Sequence, residues 1–236
     1  MQIADADALG GTTSAGVGGA GAVAGGGAST GGTAPESGAA GEGGAPDAPK
    51  RRILADSVAD FSLTQGEHGW YYGIDTGDIA TFTLMGRQST ITSFKPPSGD
   101  MWRCWASETT HWAQLFQLGG HPNGLISSAP SDDILERAVR RWISNYTGRA
   151  LITGELAKID LNANDSDGIE GKVLLDGVEL YSQALEPTDG AGTAFTLEVD
   201  LREGSAVDFV LDPTDGHDHH DLTRFTATIV TAPESP

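Results

Sequence analysis

The segment "IEGKVLLDGVELYSQAL" (169–185) sets an apolar run on either side of Asp176-Gly177. A two-residue connection of this kind needs positive φ at both positions, which aspartate tolerates and glycine adopts freely, so it predicts a type I′ turn and a β-hairpin. The same period of two recurs. "RAVRRWIS" (137–144) puts Val139, Arg141 and Ile143 on one face and Ala138, Arg140 and Trp142 on the other. "FTLEVDL" (195–201) aligns Phe195, Leu197, Val199 and Leu201, "AVDFVL" (206–211) aligns Val207, Phe209 and Leu211, and "LTRFTATIV" (222–230) carries Phe225 and Ile229. "GWYYGI" (69–74), "IATFTLM" (79–85) and "RALITGELAKID" (149–160) read as further strands. Strict alternation buries one face of a strand and wets the other. About nine or ten strands with no alternating helices predict an all-β fold, an antiparallel β-sandwich of jelly-roll type. "SDDILERAVRRW", opening at Ser131, is read as no more than a turn of helix feeding a strand.

The pattern begins only after residue 52. Residues 1–52 are rich in glycine and alanine, and no aromatic residue precedes Phe61. Such a tract has too little to bury to offset the entropy of ordering its backbone, so residues 1–52 are expected to be a disordered, tether-like linker and residues 53–232 the folded domain. A charged n-region followed by an apolar run is not found at the start, so no secretory leader is expected within this sequence, and no stretch reaches the roughly 18 apolar residues of a membrane span. With one cysteine, Cys104, the chain can form no internal disulfide.

Charge excludes some partners. The chain has 33 acidic and 14 basic residues, a formal charge of −19. A surface of that sign repels phosphate backbones, so neither nucleic acid nor an anionic membrane is an expected partner. Catalysis would need a nucleophile with its base, or two carboxylates across a cleft. No G-x-S-x-G, H-E-x-x-H or phosphate loop occurs, and the expectation is a protein without catalytic residues.

Several stretches together carry a resemblance: "ADFSLTQGEHGWYYGI", "GGHPNG", "AVRRWIS" with "GRALITGELAKID", "DGIEGKVLLDGVEL" and "VDFVLDPTDGHDHHDLTRFTATI". Over about residues 55–230 the chain resembles a bacterial secreted or surface β-sandwich module of the galactose-binding-like carbohydrate-binding type. Such modules are often appended to polysaccharide-degrading or anchored proteins. The resemblance implies a non-catalytic polysaccharide-binding module, extracellular or at the cell surface, within a larger polypeptide or anchored by its N-terminal linker. The alternative is a structural or adhesive sandwich that contacts another protein, with a minor glycan-active hydrolase behind it. The acidic surface favours a neutral polysaccharide. The turn "GHDHHD" departs from the usual glycine- and asparagine-rich pattern.

Sugar rings stack their C–H faces on indole or phenol rings while their hydroxyls bond to polar side chains, and binding sites combine the two kinds of group. "MWRCWASETTHW" (101–112) offers Trp102, Trp105 and Trp112 with Arg103, Glu108 and His111 among them. The competing reading has these indoles covering an open end of the sandwich, their N–H groups bonded to carbonyls. The ligand-binding candidates are Trp102, Trp105, Trp112, Tyr72, His121 and Arg140. Arg140 and Arg141 face opposite ways on a strand, so one should pair with a carboxylate while the other reaches a ligand.

Two acidic loops raise calcium. "DLNANDSDG" (160–168) resembles the start of an EF-hand loop, but a frame beginning at Asp160 puts Asp165 where the glycine belongs, so it reads as a solvated loop. In "DPTDGHDHHD" (212–221), Asp215 and Asp221 are the metal candidates, with calcium the cation in view.

Overall fold

The computed structural model describes residues 51–91, 102–127, 133–214 and 216–233. The linker predicted over 1–52 lies outside the described residues except for Arg51 and Arg52. In chain order the strands are β1 (Ile53–Asp56), β2 (Trp70–Asp75), β3 (Thr83–Leu84), β4 (Arg87–Ile91), β5 (Trp102–Ala106), β6 (Gln114–Phe116) and β7 (Gly119–His121). They continue with β8 (Arg137–Ile143), β9 (Gly148–Lys158), β10 (Ile169–Leu175), β11 (Val178–Leu185), β12 (Thr193–Leu201), β13 (Ala206–Asp212) and β14 (Thr223–Thr231).

These strands form two antiparallel sheets. The larger runs β12-β9-β14-β7-β6-β5-β4, and β1 also pairs with β14; the smaller runs β11-β10-β13-β8-β2-β3. One edge of β14 pairs with β9 along its whole length, while the other is shared between β7 at its start and β1 near its end. A side chain at Gly119 would strike the backbone carbonyl of Thr223, so the close pairing of β7 with the start of β14 needs a glycine. The β-sandwich expected from the alternation is the fold observed.

Aromatic contacts join the two sheets. Tyr72 stacks on Trp105 at 6.0 Å, Phe209 meets Phe225 edge-on at 5.6 Å, and Tyr181 stacks on Phe195 at 4.8 Å. The inward row of β9, Ala150, Ile152 and Leu156, packs into the same core as Val173, Val207 and Leu211 of the opposite sheet. Asp176 and Gly177 take φ of 51° and 83°, the two positive values that a type I′ turn demands. The Asp176 carboxylate accepts the Ala206 N–H (2.8 Å) and the Ser205 hydroxyl (3.1 Å), tying the turn to the start of β13.

"IATFTLM" is corrected. Asp78 caps a 3₁₀ turn over Ile79–Thr81, its carboxylate accepting the Ala80 N–H, and only Thr83–Leu84 is strand. Ile79 and Phe82, three residues apart, pack together against Val139, Leu174 and Val210 on the outer face of the small sheet. Local capping and that second apolar patch override the apparent period of two. Before β8, where no alternating segment marks a strand, the short strands β4 to β7 extend the larger sheet. From Arg137 onward "SDDILERAVRRW" is strand β8, and Ser131 lies outside the described residues.

Candidate functional site

The connection between β5 and β6, "SETTHWA" (107–113), is held by its own polar groups. Ser107 N–H donates to the Ala113 carbonyl (2.9 Å), and Ser107 Oγ accepts the N–H groups of Thr109 (3.0 Å) and Thr110 (3.3 Å). Thr110 Oγ1 donates to Glu136 Oε2 at 2.6 Å, and Arg87 Nε donates to the Ser107 carbonyl at 3.0 Å. The loop is anchored through its buried members Ser107 and Thr110, while Glu108, Thr109 and His111 face solvent.

Gly86, Arg87, Glu108, Thr109, Thr110 and His111 line an open groove of about 590 Å³. A Cβ at Gly86 would collide with the Glu108 carboxylate, so the glycine lets that carboxylate lie across the backbone entering β4. His111 meets the half-buried Trp112 edge-on at 4.7 Å, and Trp112 packs on His121 at 5.6 Å. The indole N–H of Trp112 is buried without a hydrogen-bond partner among the described residues. The groove thus combines a guanidinium, a carboxylate, the Thr109 hydroxyl and an imidazole beside an indole. Among its lining residues Glu108 is the one carboxylate, whereas glycoside hydrolysis by the common route uses two.

Trp112 and His121 are the predicted site residues that the fold brings together, with Glu108 and His111 in front of them. Arg87 had no signal in the sequence, because only the β4–β5 pairing sets it beside Ala106 and the loop that follows.

Four predicted ligand residues are corrected by burial. Trp105 is 4% exposed, since β5 turns its ring inward with Leu115 of β6, and its Nε1 donates to the Ser62 carbonyl at 2.9 Å. Tyr72 is fully buried beneath it, its hydroxyl accepting the Ser62 N–H at 3.3 Å, and burial raises its pKa. Arg141 makes the predicted carboxylate pair, with Asp208 at 2.6 and 3.1 Å. Arg140, instead of reaching a ligand, points between the sheets and donates to the carbonyls of Ser57, Phe116, Gln117 and Gly119. His121 is also buried, with Nδ1 2.6 Å from the Pro122 carbonyl. A carbonyl can only accept, so Nδ1 carries the proton. Trp102 opens β5 opposite Ile91, but its side chain lies outside the described residues.

Burial pushes the His121 imidazole down to about 4 from an ordinary 6.5. Between those values the unfolded chain binds a proton at this histidine that the folded chain does not, so stability rises with pH across the window and is lost as pH falls through it. A shift of this size corresponds to about 3 kcal/mol. His121→Gln should remove that dependence, measured as urea midpoints between pH 4 and 7. An unchanged slope would mean that another group carries it.

The metal candidates separate. Asp215 lies outside the described residues. Asp221 is corrected: it is fully buried, and its Oδ1 accepts from Lys158 Nζ at 2.9 Å. An inward carboxylate already facing an ammonium is not offered to a cation. Among the described residues no group of three or more His, Cys, Asp or Glu is arranged to hold a metal. His220 of the same turn bonds to Asp160 (2.9 Å), and His217 and His219 pack edge to face at 6.0 Å.

No family model matches the chain, and no curated protein matches it. Among solved structures it is similar to a family 35 carbohydrate-binding module from Clostridium thermocellum, at 8% identity and a TM-score of 0.34, over 78% of this chain and 99% of that one. It is also similar to a family 35 module from Paenibacillus barcinonensis, at 10% identity and a TM-score of 0.31, over 68% of this chain and 98% of that one. A family 51 module from Clostridium perfringens, in complex with methyl-galactose, matches at 11% identity and a TM-score of 0.34, over 61% of this chain and 100% of that one. Likeness at this level identifies no ligand and no binding residue.

Proposed function

We propose that the chain is a non-catalytic carbohydrate-binding module that takes a polysaccharide in the groove of Arg87, Glu108, Thr109, Thr110 and His111, with Trp112 at its side. The observation that carries this reading is the composition of the groove. Neighbouring sugar hydroxyls act as both donors and acceptors, which matches a guanidinium at the start of β4 and a carboxylate on the β5–β6 loop beside it. The indole supplies apolar surface for the ring faces. The net acidic surface favours a neutral glycan. Residues 1–52 serve in this reading as the linker that joins the module to the rest of an extracellular or surface-anchored protein.

The test is affinity electrophoresis of the full chain against a panel of soluble polysaccharides. A polysaccharide that retards the protein should do so about tenfold less for Glu108→Gln and for Arg87→Ala, because each loses a charged bond in the site. Retardation unchanged in both variants would move the binding elsewhere.

A second reading rests on a different surface. Leu125, Ile126 and Ile134 are 56, 50 and 42% exposed, and Asn123 Nδ2 bonds the Ile134 carbonyl at 2.8 Å, so they sit close together. Exposed large apolar side chains on neighbouring segments suit contact with another protein. Retention by no glycan, together with association of the chain that Ile126→Asp abolishes, would favour the adhesive role.

A further inference from the structure

Lys158 is the last residue of β9 and continues the inward row of Ile152 and Leu156, a position where alternation calls for an apolar side chain. Its neighbour across the sheet is Thr223 at the start of β14, two residues after Asp221. Lys158 and Asp221 side chains are both 0% exposed, and Nζ lies 2.9 Å from Oδ1. Nζ also donates to the His220 carbonyl at 2.8 Å. The second carboxylate oxygen, Oδ2, has no hydrogen-bond partner among the described residues. Removing such a pair from water is costly, and Coulomb attraction alone often fails to recover that cost.

We propose that Lys158 and Asp221 are joined by an intramolecular isopeptide bond, formed within the folded domain without an added enzyme or cofactor.

The reaction needs a free amine, a protonated carboxyl group, contact between them and exclusion of water. The site supplies contact and burial directly. Burial raises the Asp221 carboxyl to about 7 against the pull of the Lys158 charge and its hydrogen bond, and the negative charges of Asp167 and Asp218 add to the rise, so the neutral acid is easier to form here than in water. Passage of one proton from the ammonium to the carboxylate leaves an amine facing a carboxylic acid. Nζ then bonds to Cγ, the C–OH bond breaks, and the hydroxyl departs as water with a proton taken from Nζ. The products are one secondary amide and one water molecule; nothing is oxidised or reduced.

Both carboxylate oxygens of Asp167 are buried without partners among the described residues, and its negative charge acts on Asp221, which favours the neutral acid over the carboxylate. Asp218 is also buried, accepting the Gly124 N–H at 3.3 Å. His121, close enough to feel the Lys158 charge, is a neutral imidazole in this setting. The amide would staple the end of β9 to the start of β14 and close the excursion that carries β10 to β13.

Intact-mass spectrometry of the full chain tests this. The folded protein should weigh one water molecule less than its sequence, and digestion should yield a branched peptide joining the Lys158 and Asp221 segments. Lys158→Arg keeps a cation but cannot form the amide, and should show the full sequence mass. Asp221→Ala has no carboxyl group to form the amide and should likewise show the full sequence mass. Full sequence mass in the folded wild-type chain overturns the proposal. So does a water loss that persists in Lys158→Arg and maps to an Asp-Gly step such as Asp176-Gly177, where aspartate dehydrates onto its own backbone.

Discussion

Trp105→Ala should lower stability by about 3–5 kcal/mol, the usual cost of emptying a buried aromatic site. The ring is enclosed between Tyr72, stacked on it at 6.0 Å, and the strands on either side, and its N–H serves the Ser62 carbonyl. Truncation leaves a cavity in the middle of the sandwich and an unpaired carbonyl at its edge. Trp112→Ala should behave differently. That ring is half-buried in a loop, its N–H bonds to nothing among the described residues, and its loss should cost about 1–2 kcal/mol. Its effect should appear instead in glycan retention, because it flanks His111 and the groove. Urea melts and affinity electrophoresis on the two variants, with Trp142→Ala as a core control at 1% exposure, separate the roles. Equal losses of stability for Trp105 and Trp112, with no selective loss of binding, would remove Trp112 from the site.

Arg140→Met should cost about 3–5 kcal/mol, in the range found when one partner of a buried charged network is removed. Arg140 is 2% exposed, and its partners among the described residues are carbonyls rather than carboxylates. The rings of Phe61 and Tyr72 lie 6.0 and 5.8 Å from the guanidinium carbon and offer their faces to the charge. Burial lowers its pKa to about 10, still far enough above neutrality for the charge to persist. The guanidinium ties the turn between β6 and β7 to Ser57, which itself bonds β14 through Ala227. Methionine restores the volume but takes the guanidinium donors away from those carbonyls. Arg140→Lys should fall between, because one ammonium cannot reach both Ser57 and the β6–β7 turn. Chemical denaturation of the three proteins measures this, and a loss below about 1 kcal/mol for the methionine variant would show that water replaces the guanidinium at little cost.

The alternating segments determined much of the fold by themselves. β8, β9, β12, β13 and β14 lie where period-two apolar patterning put them, and the Asp176-Gly177 turn has its required dihedrals, because side-chain alternation and turn chemistry are local properties of the chain. Which face of an aromatic strand meets water is not local. Trp105, Tyr72 and Arg140 read as ligand groups while their neighbours were unknown, and pairing of β5 with β6 and β2 with β8 turned all three inward. Arg87 entered the groove through a pairing partner more than a dozen residues away in sequence, a relation that composition and spacing do not encode. The same holds for Lys158 and Asp221. Lys158 carries no signal in the sequence and Asp221 reads there as a metal candidate, and only the antiparallel register of β9 against β14 closes them on one another in a place without water.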